Sequence, residues 1–256
     1  MDLGLEKRRA LVTGASRGLG RAIALALAAE GADVVAVARN PERLGQLAAE
    51  PAGSGKITAR SCDLADASAI EALSDVLARV DVLVINTGGP PPGPAAETSD
   101  AVWSKQFEAM FLSAVRISRL ALPGMRQRGF GRIIAVVSSG VIQPIPNLGV
   151  SNALRSALVG WAKTLAGEVA SQGITVNCVA PGRIATDRVA ELDQGRAKHE
   201  GIGVEEVERQ SRMAIPAGRY GDVAEFASVV AFLASTRASY TTGGIIRVDG
   251  GMIRSS

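Results

Sequence analysis

The chain has 256 residues, 47% of them apolar, with 29 Gly, only two Tyr and one His, and a formal charge of +3. That length holds one large domain or two small ones, and the apolar fraction excludes general disorder. So small a positive excess gives little drive toward nucleic acid, the N-terminal MDLGLEKRR has no apolar signal-peptide core, and no apolar run approaches bilayer length.

Short β-branched runs alternate with Ala/Leu-rich stretches of helical length. The first strand, Ala10–Val12, leads into a glycine-rich turn and a helix over Arg21–Glu30, closed by Gly31. Strands follow at Asp33–Ala38 and Ile57–Cys62, then a helix over Ala67–Ala78 and a strand at Val82–Ile85. A helix over Ala101–Leu122, a strand at Arg132–Val137, a helix over Val150–Ala170 and a strand at Ile174–Val179 come next. A helix over Val223–Ala234 and a strand at Ile245–Val248 close the chain. The strands are continuous apolar runs, as strands buried on both faces are. The expectation is a single α/β domain over 1–256: a doubly wound Rossmann sheet of seven parallel strands with helices on both faces. Between the last two strands, 187–213 holds 12 charged residues in 27, twice the density of the whole chain. It is either a solvated helical excursion or a substrate lid, since open α/β sheets bind ligands at the carboxyl ends of their strands.

The first turn reads Thr13-Gly14-Ala15-Ser16-Arg17-Gly18-Leu19-Gly20. Its glycines permit tight turning and close approach of a ligand, and the helix behind offers free N–H groups and a partial positive charge to a pyrophosphate. NAD-binding folds place an acid at the end of the second strand, for the ribose 2′-hydroxyl. Here that strand ends Val37-Ala38-Arg39-Asn40, and Arg17 adds a second cation. Two guanidinium groups suit a 2′-phosphate, so NADP(H) is expected over NAD(H).

Gly14-x-x-x-Gly18-x-Gly20 resembles the fingerprint of the short-chain dehydrogenase/reductase family, and the likeness runs to the C-terminus. Cys62-Asp63-Leu64 resembles the family's adenine-contacting segment, and Asn86-Thr87-Gly88-Gly89 its Asn-Asn-Ala-Gly motif. Pro181-Gly182, with Ile184 and Thr186, resembles the segment that packs over the nicotinamide. Pro216-Ala217-Gly218-Arg219 and Val248-Asp249-Gly250-Gly251 match its closing signatures. The nearest look-alikes are 3-oxoacyl-[acyl-carrier-protein] reductases. The resemblance implies cofactor contacts from Gly14, Ser16, Arg17, Gly18, Leu19, Arg39, Asp63, Leu64, Asn86, Gly88, Arg155, Pro181, Gly182, Ile184 and Thr186. It also implies a homodimer or homotetramer formed through the long helices after the fourth and fifth strands.

The family's catalytic set is Asn, Ser, Tyr and Lys. Ser138 matches the Ser; 13 positions later, where Tyr is expected, stands Ser151, with Arg155 at the Lys position and Met110 at the Asn position. Misalignment does not explain this, because the only tyrosines, Tyr220 and Tyr240, fit structural positions near the C-terminus. A Ser hydroxyl is a far weaker acid than a phenol, and guanidinium stays protonated, so proton delivery through Ser138 or Ser151 requires a water. Ser138, Ser151 and Arg155 are the catalytic candidates, Ser151 and Arg155 sharing a helix face at i, i+4.

Other features are less specific. The proline-rich 88–94 loop either borders the cofactor or is structural. Trp103 and Trp161 read as packing or subunit contacts, Cys62 and Cys178 as small buried strand residues, and His199 as solvated. Two readings stay open. One is a cytoplasmic NADP(H)-dependent oxidoreductase acting on a small carbonyl or hydroxy substrate; the other is a dinucleotide-binding regulatory protein without turnover. Neither needs a metal.

Overall fold

The computed structural model describes residues 2–254. In chain order the elements are β1 (Arg9–Thr13), α1 (Gly18–Ala29), β2 (Asp33–Ala38), α2 (Pro41–Ala49), β3 (Ile57–Ser61), α3 (Ala67–Glu71), α4 (Ser74–Leu77) and β4 (Val82–Ile85). They continue with α5 (Asp100–Phe107), α6 (Ser113–Arg128), β5 (Gly131–Val136), α7 (Gly149–Val169) and β6 (Ile174–Pro181). The chain ends with α8 (Asp187–Glu200), α9 (Val204–Ala214), α10 (Val223–Ala234) and β7 (Ile245–Val248). The seven strands form one parallel sheet in the order β3-β2-β1-β4-β5-β6-β7, and the chain reverses direction across it between β1 and β4.

Alternation along each strand explains the continuous apolar runs. Val12, Ala36, Val84, Ile134 and Val179 bury one face against α1 and α10, which carry Ile23, Leu27, Phe226 and Val230. Leu11, Val37, Leu83, Ile133 and Val176 bury the other against α4, α6 and α7, through Leu77, Ile117, Leu158 and Leu165. Both faces of the central strands are dry, so β4 and β5 are buried at every position, while the edge strands β3 and β7 are partly exposed.

Four local departures have physical causes. Helix α2 was not anticipated, although its start is legible: Asn40 accepts a hydrogen bond from Arg43 N at 2.9 Å and Pro41 occupies the first turn. The expected Ala67–Ala78 helix is two short ones, because Leu73 N closes a tight three-residue bond onto Ile70 O. The expected Ala101–Leu122 helix runs from Asp100 to Arg128, interrupted by a π-turn at Glu108–Leu112. Cys62 lies just past β3 rather than in a strand, though it is buried like Cys178 in β6. The charged stretch forms α8 and α9, which leave the sheet at the carboxyl end of β6 and return before α10. No described helix is long and apolar enough to cross a membrane.

Candidate active site

The carboxyl ends of β1 and β4 meet at the point where the strand order reverses, and there the glycine turn is held by backbone. Asn86, just past β4, donates its N–H to Thr13 Oγ1 at 2.8 Å, and its side-chain amide donates to Gly14 O at 3.4 Å. Gly14 has φ +61°, and a Cβ there would overlap the Asn86 carbonyl oxygen. A Cβ on Gly20 would overlap Gly14 O and sit 2.8 Å from Asn86 Nδ2. Both positions admit only glycine. The N-cap of α1, Arg17, makes no side-chain cap, so the first N–H groups of the helix stay open toward the turn. Such a cradle fits a phosphate group. Thr13, which sequence reasoning passed over, sits at its centre.

Around the cradle the expected contact residues take up distinct positions. Ser16 and Leu19 are half-buried in and after the turn, and Leu19 packs on the core. The methyl of Thr186, the residue capping α8, would lie 3.5 Å from a Cβ on Gly18, so Thr186 faces the turn from the opposite wall. Gly182 packs closely on Asp249, where a Cβ would stand 2.7 Å from its Cα. Ile184 is buried and paired with Gly221. Asp63 is exposed and Leu64 half-buried beyond β3. Arg39 is exposed at the end of β2, and its guanidinium has no partner among the described residues. Arg17, expected to be free beside it, instead reaches across to α8, 3.2 Å from Glu191 and 3.7 Å from Asp187.

The second half of the crevice is made by α7 and the ends of β4 and β5. Ser138 is half-buried and accepts a hydrogen bond from Gly140 N at 3.1 Å, starting a single 3-10 turn. Asn152 ties the following loop to α7, donating to Ile145 O at 2.9 Å. Ser151 is 8% exposed, and its hydroxyl has no hydrogen bond among the described residues. It is not sealed either, unlike the orphaned hydroxyl of Ser118. Arg155, also 8% exposed, turns inward: Nη1 donates to Val136 O at 2.7 Å, and Nη2 lies 3.5 Å from both Thr87 O and Gly88 O. It thus links α7 to the ends of β5 and β4. Burial, with Arg188 nearby, pulls its guanidinium down to about 10, so it stays charged at neutral pH.

Met110 is 3% exposed and packs with Val150, Leu154 and Trp103. Met110 belongs to the π-turn, and its cluster joins that turn to α7 and α5. Trp161 packs against the core from α7. The proline-rich loop docks on the approach to α7, with Gly93 N donating to Asn147 O at 2.7 Å and Gly149 N to Gly93 O at 3.2 Å. From α8, Arg188 Nη2 donates to Pro90 O at 2.8 Å. Neither this arginine nor Asn152 was singled out from sequence; the sole signal for Arg188 was its place in the first turn of the charged stretch.

Tyr220 is structural, as expected. Its hydroxyl donates to Asp193 Oδ2 at 2.7 Å; Asp193 is 1% exposed and pairs with Arg183. Burial pushes the phenol up from its ordinary value. Tyr240 is fully exposed on the isolated chain. His199 is exposed. Neither tyrosine lies on α7 beside Ser138.

A reversal between β1 and β4, a glycine cradle at that point and a Ser at the end of β5 together are distinctive, and comparison agrees. The family profile described as Enoyl-(Acyl carrier protein) reductase matches residues 14–253. The chain belongs to the short-chain dehydrogenase/reductase family. It is 38% identical to the 3-oxoacyl-[acyl-carrier-protein] reductase FabG of Vibrio cholerae serotype O1, over 98% of this chain and 99% of that one. Among solved short-chain dehydrogenase/reductase structures, it is similar to L-sorbose reductase from Gluconobacter frateurii, complexed with NADPH and L-sorbose. The TM-score is 0.93 at 33% identity, with all of both chains covered. It is also similar to YwfH, an NADPH-dependent reductase involved in bacilysin biosynthesis, at TM-score 0.89 and 32% identity, over 98% of this chain and all of that one.

Proposed function

We propose that this chain is an NADP(H)-dependent oxidoreductase acting on a carbonyl or secondary alcohol, with an altered proton-delivery set. The observation that carries the reading is a sterically complete glycine cradle at the switch point, next to two serines, Ser138 and the unpaired Ser151. When bound, the nicotinamide cofactor supplies or accepts the hydride. Gly14, Ser16, Gly18 and Leu19 hold its phosphates against the α1 N-terminus, and Asp63, Leu64, Asn86 and Gly88 line the path toward the crevice. Pro181, Gly182, Ile184 and Thr186 form the wall behind the ring. Arg39, lacking a partner, meets the 2′-phosphate, and Arg17 joins it by leaving Glu191 for a dianion. Residues 187–213 act as the lid.

Within the crevice Ser138 donates to the substrate oxygen. Ser151, in the family's Tyr position, is too short and too weak an acid for direct transfer, so it orients a water that carries the proton. Arg155, in the Lys position, keeps a positive charge under that path and holds the ends of β4 and β5 in register. It exchanges no proton at neutral pH.

The test is an NADPH fluorescence titration followed by its oxidation with a panel of ketones and 3-oxoacyl thioesters. Tight binding with slow turnover is expected, and NADPH is expected to bind more tightly than NADH. Binding without any turnover favours the second reading, a dinucleotide-binding regulator. One observation supports that alternative: Met110 fills the Asn position with an apolar cluster, leaving the relay water without an anchor.

A further inference from the structure

The crevice between the β4 end and α7 holds more positive charge than its acids balance. No carboxylate among the described residues is within ion-pair reach of Arg155. The other buried arginine makes a useful contrast. Arg132 donates to Ser235 O at 3.0 Å, Gly131 O at 2.8 Å and Gly173 O at 3.2 Å, and stacks 4.2 Å from the Phe130 ring centre. Arg155 has one short bond, and its other two contacts, both 3.5 Å, sit at the outer edge of hydrogen-bonding range. Its donors are under-used.

Arg188 supplies the second guanidinium. It lies against Gly89, where a Cβ would stand 3.4 Å from its Nε, and it holds Pro90 O. Its acidic neighbour, Glu191, is 3.7 Å away and is shared with Arg17 at 3.2 Å. Arg188 is close enough for its charge to add to the burial that lowers Arg155. The two guanidinium groups bear on consecutive residues of one loop, Arg155 on Thr87 and Gly88 and Arg188 on Gly89 and Pro90, and an anion bound there would offset their repulsion.

We propose that Arg155 and Arg188 form an anion subsite beside Ser151, so that the substrate is a carboxylate-bearing carbonyl compound: a short-chain oxo acid, or the corresponding hydroxy acid in the reverse direction. The inference rests on the oxidoreductase reading and narrows its substrate. A carboxylate matches the guanidinium fork, completes the long donors of Arg155, and replaces repulsion with attraction where water is scarce. Because Arg188 is carried by α8, the same contact draws the lid onto the substrate.

Calorimetric titration with acetoacetate and 2-oxobutanoate, each against its methyl ester, with and without saturating NADP⁺, tests the subsite independently of turnover. The acids are expected to bind at least ~10-fold more tightly than the esters. Arg188→Met is expected to cut the acid-to-ester ratio by about 10-fold, the lower end of the scale for a charged hydrogen bond, and Arg188→Lys to restore part of it. Equal binding of acid and ester, no binding of either, or an Arg188→Met effect confined to NADPH affinity overturns the proposal. An acid preference without NADPH oxidation supports the subsite and refutes the oxidoreductase reading. Turnover of neutral ketones without acid preference does the reverse.

Discussion

The two sides of the crevice are built by different means. On the β1 side, position is set by backbone against backbone, with Gly14, Gly20 and Asn86 so close that a single Cβ would collide. On the α7 side, position is set by long side chains: Arg155 spans to two strand ends and Arg188 reaches from α8 to the proline loop. A wall of backbone admits one residue type at each tight point, so its purpose is legible and its failure abrupt. A wall of guanidinium groups tolerates a change of residue while keeping its shape, so its chemistry alters without disturbing the fold.

The largest expected effect breaks the rigid side. Gly14→Ala adds a Cβ at positive φ against the Asn86 carbonyl, at a cost of about 2–3 kcal/mol in stability. NADPH affinity is expected to fall ~100-fold, which is about 2.7 kcal/mol. Denaturant unfolding and fluorescence titration check it; a wild-type titration would show that the cradle is not the binding point. On the adaptable side, the triple change Met110→Asn, Ser151→Tyr and Arg155→Lys is expected to raise carbonyl turnover at least ~10-fold, the lower range of acid–base effects being larger still. An unchanged rate would count against the assigned positions. The gain comes despite a stability loss of about 1–2 kcal/mol, because Met110→Asn places an amide among Val150, Leu154 and Trp103.

A third variant sharpens the boundary between the sides. Asp193→Asn removes the carboxylate that Arg183 and Tyr220 share, at a cost of about 2 kcal/mol confined to α8 and α9. Limited proteolysis is expected to cut earlier between 187 and 214, with core unfolding little changed. The smallest contrast concerns the two buried thiols, one beyond β3 and one in β6. Burial pushes Cys178 up to about 12 and raises Cys62 as well. Neither is expected to react with Ellman's reagent at mildly alkaline pH until the chain unfolds. Since the unfolded thiol ionises near 9.0 and folded Cys178 only near 12, its linked stability is full below 9.0 and declines as pH rises from there toward 12. A pH series of denaturant midpoints checks the sign.

Legibility followed the same division. The central strands were readable because a sheet covered on both faces demands unbroken apolar runs, as Val34–Ala38 and Val82–Ile85 show. The glycine turn was readable because strand, turn and helix constrain one another within a few residues. Helix α2 is harder to read, because Asn40-Pro41 follows directly on the end of β2 and serves as both strand end and helix start. The π-turn was not readable at all. The single extended helix expected there had the right composition, and only packing of Met110 against α7 reveals the interruption.

The amino-acid sequence by itself determined the α/β class, the glycine turn and the scarcity of tyrosine, because these depend on local periodicity, glycine spacing and residue count. Tertiary structure alone decided where the charges point. Arg17 turns to Glu191, Arg155 to strand-end carbonyls, and Arg188 to the proline loop. A flexible guanidinium finds its partners among groups tens of residues away, and no local pattern encodes which of them the fold brings within reach.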